Sequence, residues 1–82
     1  MGRIENRIRR LRFDHNEMTQ EELANLVGCT RQTIIALEQE KYVPSIELAF
    51  RIAEAFRVPL EEVFLYNSEK KVTIPHGNEN SE

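Results

Sequence analysis

Two adjacent side chains, Arg31 and Gln32, carry the most specific hydrogen-bonding chemistry in this sequence. A guanidinium and an amide each present two polar atoms in one plane, so each can bind two atoms on the edge of a nucleic acid base. The following residues include Ile34 and Ile35, whose side chains would point about 100° apart around a helix. Only one of them can face a core. The stretch therefore predicts a helix with one side for packing and another for binding.

Residues suited to catalysis or metal binding do not form a cluster in the sequence. The single cysteine, Cys29, has no second thiol and no histidine at helical spacing, so we expect a half-buried filler. His15 and His76 lack cysteines or carboxylates at metal-ligand spacing and are predicted to lie on the surface. No glycine-rich loop could hold a phosphate. We therefore predict a protein that is not an enzyme and uses no metal or other cofactor.

The composition is that of one small domain. The chain has 82 residues, of which 40% are apolar and 30% are charged, and its net charge is −3. The first 43 residues are neutral overall, so the acidic excess lies in the second half. The apolar runs are far shorter than the roughly 20 residues of a membrane span. The arginine-rich start has no apolar segment typical of a secretory signal, and one cysteine fits a reducing cytoplasm.

Apolar spacing predicts five short helices joined by short loops. The first carries Ile4, Ile8 and Leu11, at positions i, i+4 and i+7. After the fifth helix the pattern changes, because Val72 and Ile74 alternate with a polar residue as in a strand. The inward residues of helices two to five are predicted to be Leu23, Leu26, Val27, Ile34, Leu37, Leu48, Ala49, Ile52, Ala53, Phe56, Leu60, Val63 and Phe64.

Helix boundaries can be predicted from capping residues. Thr19 with Glu22 forms a capping box that starts the second helix. Gly28 ends that helix, since glycine adopts positive φ at little cost. The remaining start signals are Thr30 for the third helix, Ser45 for the fourth and Pro59 for the fifth.

The middle of the chain has the spacing of a helix-turn-helix. Two short helices that cross steeply need a small residue at the crossing, here Ala24, and a glycine at the turn, here Gly28. The second helix then needs apolar anchors, which Ile34 and Leu37 supply. All of these residues stand at compatible distances within residues 19–38.

The segment "MTQEELANLVGCTRQTIIALEQEKYVPSIELAFRIAEAF" resembles the Cro/cI-type (XRE-like) helix-turn-helix family of transcriptional regulators, and the resemblance covers about residues 4–66. It implies an all-α fold, a compact five-helix DNA-binding domain over residues 1–66, followed by a strand-like tail over 67–82. The implied function is that of a repressor that binds double-stranded operator DNA as a homodimer, with helix three (30–38) in the major groove. No small-molecule ligand and no membrane partner is expected.

The resemblance also assigns roles to individual residues. The bases would be contacted by Arg31, Gln32, Ile35 and Ala36, and the DNA backbone by Gln20, Thr30, Thr33, Lys41 and Tyr42. Glu38 matches a glutamate that the family commonly pairs with an arginine of helix one, and Arg12 matches that arginine. We therefore expect this pair to be structural.

Three departures from the family pattern concern the backbone. The loop after the first helix is one residue longer than usual. Glu40 stands where the family commonly has the glycine that closes the third helix, so a left-handed cap is expected there. Arg57 stands where a glycine is usual before Val58.

The dimer interface is predicted at the end of the chain, at Leu65, Tyr66, Val72 and Ile74. Leu65 and Tyr66 are predicted to continue the fifth helix. A helical domain would have no sheet for Val72 and Ile74 to join, so strands from two copies would pair. The alternative function is that of an antitoxin-like or other interaction module whose tail binds a partner protein.

Overall fold

Five helices and two strands make up the part of the chain that the structure describes. The computed structural model describes residues 3–67, and Val72 and Ile74 lie outside that range. The elements in order are β1 (Arg3–Asn6), α1 (Ile8–Asp14), α2 (Gln20–Val27), α3 (Arg31–Glu38), α4 (Ile46–Phe56), α5 (Leu60–Val63) and β2 (Phe64–Asn67). The prediction of five short helices is therefore confirmed.

The predicted capping residues start three of these helices. The Thr19 hydroxyl accepts a hydrogen bond from the Glu22 amide at 3.0 Å, and the Glu22 carboxylate accepts one from the Thr19 amide at 2.8 Å. This is a complete capping box. At the starts of α3 and α4, the hydroxyls of Thr30 and Ser45 each accept a hydrogen bond from the backbone amide three residues later. Because these bonds satisfy amides that have no partner within the helix, the helices begin where their caps predict.

Leu26 is the one predicted inward residue of helices two to five that is exposed, while Leu48, Leu60 and Phe64 are half-buried and pack against the core; the others are buried. All five helices contribute to the core, and its fully buried side chains include Ile8, Leu23, Ile34, Leu37, Ile52, Phe56 and Val63. Leu26 was predicted to be buried, but it is 63% exposed. The buried side of α2 is formed by Leu23, Ala24 and Val27, and Leu26 lies about 100° around the helix from its centre. Ala24 takes the place that the prediction gave to Leu26.

The first and last elements pair as a two-stranded antiparallel sheet, which corrects the purely helical prediction. Ile4 lies opposite Tyr66, and Asn6 lies opposite Phe64. Ile4 therefore belongs to a strand and not to the first helix. Leu65 and Tyr66 do not continue the fifth helix, which ends at Val63. The domain is mostly helical, but it does contain a sheet.

Hydrogen bonds at Asn6 show why the chain is extended there and why α1 begins later. The Asn6 amide Nδ2 donates to the Leu37 carbonyl at 2.7 Å, and Oδ1 accepts from the Ile8 amide at 3.1 Å. The Arg7 amide donates to the Val63 carbonyl at 2.8 Å. These bonds tie the start of the chain to α3 and α5, which a helix through residues 4–7 could not do.

Within residues 3–67, four residues other than glycine have positive φ. Glu40 has φ of 61°, so the left-handed cap expected there is confirmed. Arg57, at the family's other glycine position, has φ of 59° and adopts the same conformation. Asn16 and Glu17 have φ of 60° and 53° and lie in the loop between α1 and α2, the loop predicted to be longer than usual. Each such residue costs roughly 1–2 kcal/mol relative to ordinary backbone.

Candidate nucleic-acid interface

The turn between α2 and α3 sets the position of the outward face of α3. Gly28 has φ of +79°. Its amide and that of Cys29 both donate to the Ala24 carbonyl, at 2.9 and 3.0 Å. A Cβ atom on Gly28 would lie 3.2 Å from Nη1 of the exposed Arg51 side chain, which could move aside, so the cost of a larger residue would come mainly from its positive φ. The glycine turn that the sequence predicts is confirmed.

The two sides of α3 differ in exposure. Ile34 and Leu37 are 0% and 1% exposed and pack in the core. Arg31 and Gln32 are exposed, whereas Ile35 and Ala36 are half-buried. Ile34 is thus the isoleucine of the core, and Ile35 lies outside it. The structure leaves the predicted base-contacting residues accessible to different degrees, and their contact with bases stays a prediction.

An ion pair joins α3 to α1 on the inner side. Arg12 Nε and Nη2 donate to the two carboxylate oxygens of Glu38, at 2.7 and 3.1 Å. The two side chains are only 15% and 10% exposed. Arg12 Nη1 donates to the Met18 carbonyl at 2.8 Å, so each guanidinium nitrogen has a partner. The predicted pair is confirmed, and a two-pronged contact of this kind restricts the orientation of α3.

Gln20 takes part in the same network. Its side-chain amide donates from Nε2 to Glu38 Oε1 at 3.0 Å. The resemblance assigned Gln20 to a DNA phosphate, and the structure places this side chain against the carboxylate instead of directing all of its donors outward. Gln20 and Glu38 are 18 positions apart, so no helical spacing could have revealed the contact. Gln20 stands at the first position of α2, where backbone amides without helical partners can bind anions.

The other residues predicted to contact the DNA backbone lie at the two ends of α3. The hydroxyls of Thr30 and Thr33 are 3.1 Å apart at its start. Lys41 and Tyr42 follow its C-terminal end and are exposed, with Tyr42 46% exposed. These positions are compatible with contacts to backbone on both sides of a groove that holds α3, and the contacts themselves stay predictions.

An open groove of about 1030 Å³ separates α1 from the outward side of α3. Ile35 and Gln39 line its α3 side, and Arg9 and Phe13 line its α1 side. Neither Arg9 nor Gln39 was among the predicted site residues. Arg9 belongs to an arginine-rich stretch that by sequence predicts a mostly solvated face, with one or two arginines steering DNA over distance. A direct contact was not predicted, because the packing of α1 beside α3 is not visible in local spacing.

Other chemistry is sparse in residues 3–67. Cys29 is half-buried, and burial raises the pKa of its thiol. No group of three or more His, Cys, Asp or Glu side chains in that range could hold a metal ion. Among the described helices, none is long and apolar enough to cross a membrane.

Comparison with known proteins agrees with this architecture. A family model described as helix-turn-helix matches residues 7–63. An uncharacterized HTH-type transcriptional regulator of Methanocaldococcus jannaschii is 46% identical over 67 residues, which is 82% of this chain and 100% of the relative. The regulator YgzD of Bacillus subtilis, described in the same words, is 41% identical over 66 residues, or 80% of this chain and 98% of YgzD.

A third relative extends the similarity to another archaeon. This HTH-type transcriptional regulator of Methanothermobacter thermautotrophicus is 55% identical over 53 residues, covering 63% of this chain and 77% of the relative. The matched region of the family model contains all five helices, including the α2–α3 turn and both partners of the Arg12–Glu38 pair. The chain belongs to the helix-turn-helix family of transcriptional regulators.

Proposed function

We propose that this protein is a transcriptional regulator that binds specific double-stranded DNA sequences by inserting α3 into the major groove. The observation that carries the proposal is the exposed pair Arg31 and Gln32 on a helix whose inner side is held by a two-pronged ion pair. A helix with its side chains is about 10–12 Å wide, and the major groove is about 12 Å wide. The names of the relatives, which describe regulators of transcription, support the same function.

Four side chains of α3 would read the bases. Arg31 would bind guanine O6 and N7, and Gln32 would bind adenine N6 and N7, because these side chains match those edges with two hydrogen bonds. Ile35 and Ala36 have no polar side-chain atoms, so they would make apolar contact with thymine methyl groups. The preferred sequence would then contain both a guanine and an adenine.

Contacts to phosphates would hold the protein in register without reading the sequence. We assign these contacts to both ends of α3 and to the start of α2. The residues are Gln20, Thr30, Thr33, Lys41 and Tyr42. At Gln20 the backbone amide is the better donor, since the side-chain amide already bonds to Glu38.

A homodimer would supply the second α3 that tight and selective binding requires. Two copies around a two-fold axis place their helices about 34 Å apart, one turn of DNA. We place the interface near the end of β2, where Leu65 is half-buried and Tyr66 is 63% exposed. Val72 and Ile74 are the further candidates. In the cytoplasm such a dimer would act as a repressor by occupying its operator.

Selection of bound duplexes from a random DNA pool by the full chain tests function and assembly together. We expect a palindromic consensus whose half-sites are centred about 10 base pairs apart. A pool without enrichment would contradict specific DNA binding. A consensus with one unrepeated half-site would contradict the homodimer and leave the reading role of α3 intact.

The substitution Gln32→Ala tests which face of α3 reads the DNA. We expect it to lose roughly 1–3 kcal/mol of binding free energy on the selected duplex and to relax the preference at one base position. Asn25→Ala is the matched control, because Asn25 is an exposed amide on the neighbouring α2. Equal affinity and equal base preference in the two variants would show that the assigned face of α3 is wrong.

A further inference from the structure

We infer that α1 also borders the DNA, and that Arg9 neutralises a phosphate of the strand lying in the groove between α1 and α3. The inference rests on the proposed function and adds a contact that neither the sequence pattern nor the family model assigns. Its starting observation is that Arg9 lines the same groove as Arg31, Ile35 and Gln39 of the outward side of α3. The groove therefore has a basic residue of α1 on one side and the helix proposed to read the bases on the other.

Geometry identifies the occupant of this groove. When α3 lies in the major groove, its width of about 10–12 Å nearly fills the available space. What lies directly beside α3 is then a sugar–phosphate strand. Since the groove is bounded by α3 on one side and by α1 on the other, α1 becomes the second boundary of that strand.

The charges along the groove favour a polyanion. Its lining contains five arginines and three glutamates. Three of the arginines already lie within 4 Å of a carboxylate, at 3.8, 3.3 and 2.7 Å from Glu62, Asp14 and Glu38; they are Arg7, Arg10 and Arg12. Within residues 3–67, Arg9 and Arg31 have no carboxylate at that distance. A phosphate strand offers the negative charge that these two lack.

Two features near Arg9 refine the expected contact. Phe13 follows it by one helical turn, is 62% exposed and lines the same groove, so its ring can pack on deoxyribose. Glu17 and Glu21 also line the groove, towards the start of α2, and would repel a phosphate strand. The positive charge that attracts phosphate therefore lies on the α1 side of the groove. Removing the negative charge of Glu21 should strengthen DNA binding.

Titration of the full chain against its selected duplex and a scrambled duplex, at several salt concentrations, tests the inference. Arg9→Gln should weaken binding to both duplexes by the same factor, about 3–10-fold, and reduce the slope of log K against log salt by about 0.9, because one fewer counterion is released. Arg9→Lys should keep the slope of the parent. Glu21→Gln should tighten binding to both duplexes.

Arg57→Gln is the matched control, since Arg57 is also exposed and has no carboxylate within 4 Å in residues 3–67, and it does not line the groove. If Arg9→Gln behaves like Arg57→Gln while the parent still prefers the selected duplex, the inference is wrong and the proposed function stands. If the parent shows no preference for the selected duplex, the proposed function fails, and the inference fails with it. Thermal melting of each variant establishes that the change lies in binding and not in folding.

Discussion

The α2–α3 hairpin and the β1–β2 strand pair are held together by contacts of different range. In the hairpin, the Thr19 capping box, the Gly28 turn and the Thr30 cap each join residues within a few positions of one another. In the strand pair, bonded side chains such as those of Glu5 and Asn67 are 62 positions apart. Local spacing therefore contains the information for the hairpin and not for the strands.

The two regions also differ in burial. The hairpin contributes Leu23, Ile34 and Leu37 to the core, each at most 1% exposed. On the strands, the opposed pair Ile4 and Tyr66 is 36% and 63% exposed. A small sheet with little buried apolar surface opens at lower free energy than a packed helix pair. We therefore expect substitutions around the hairpin to affect global stability and substitutions in the strands to have small effects.

The largest effect is expected at the ion pair that holds α3. Glu38→Ala leaves the Arg12 guanidinium, which is only 15% exposed, without its carboxylate. Breaking a largely buried pair should lower the free energy of unfolding by on the order of 3 kcal/mol. For a domain of this size that corresponds to a loss of roughly 10 °C or more in Tm, measured by circular dichroism.

Two further variants test whether the loss of stability comes from the unpaired charge of Arg12. Glu54→Ala removes an exposed glutamate of α4 and should change Tm by no more than a few degrees. The double variant Arg12→Met with Glu38→Leu should recover part of the loss, because an apolar pair of similar volume needs no charged partner. A Tm of Glu38→Ala within a degree of the parent would show that this pair does not stabilise α3.

The same contrast explains which parts of the site the sequence could predict. Gly28, the caps and the inward pair Ile34 and Leu37 follow from spacing within about 20 residues. Leu26 was placed wrongly because three-residue spacing from Leu23 fits a helical stripe on either flank of α2. Only tertiary packing, which buries Ala24 and leaves Leu26 exposed, decides between the two flanks. The Gln20 contact with Glu38 depends on how two helices cross, and no periodic pattern in the sequence indicates that crossing.

The resemblance supplied what spacing could not. It paired Arg12 with Glu38 across 26 positions and marked Glu40 and Arg57 as positions where glycine is usual, and both have positive φ. It did not indicate the strand pair, since the fold that it implies is all-α and the family model matches residues 7–63, between the two strands. The groove beside Arg9 was likewise missed, because it is formed by α1 and α3 together.

An intermediate effect is expected at Arg57, whose turn is the counterpart of the Gly28 turn. Arg57 ends α4 with φ of 59°, a conformation that costs a residue with a Cβ atom roughly 1–2 kcal/mol. Arg57→Gly removes that cost but increases the conformational entropy of the unfolded chain, which opposes folding. We therefore expect the free energy of unfolding, measured by urea titration, to rise by about 0.5–1 kcal/mol. Arg57→Ala keeps the Cβ atom and loses the charge. If alanine stabilises as much as glycine, the gain does not come from the backbone.

The smallest effect is expected in the strand pair, where a double-mutant cycle on Ile4 and Tyr66 tests the register directly. The two residues lie opposite each other, and opposed side chains in a sheet contribute roughly 0.2–1 kcal/mol beyond alanine. We expect Ile4→Ala and Tyr66→Ala to show a coupling free energy in that range when unfolding is followed by urea titration. A cycle of Ile4 with Phe50, which is 56% exposed on α4, should show coupling near zero.

Equal coupling in the two cycles would mean that the strands do not pair in this register, and that the start of the chain could be the first helical turn that apolar spacing predicts. Coupling confined to the Ile4–Tyr66 cycle would establish that a contact invisible to local spacing closes the two ends of the domain.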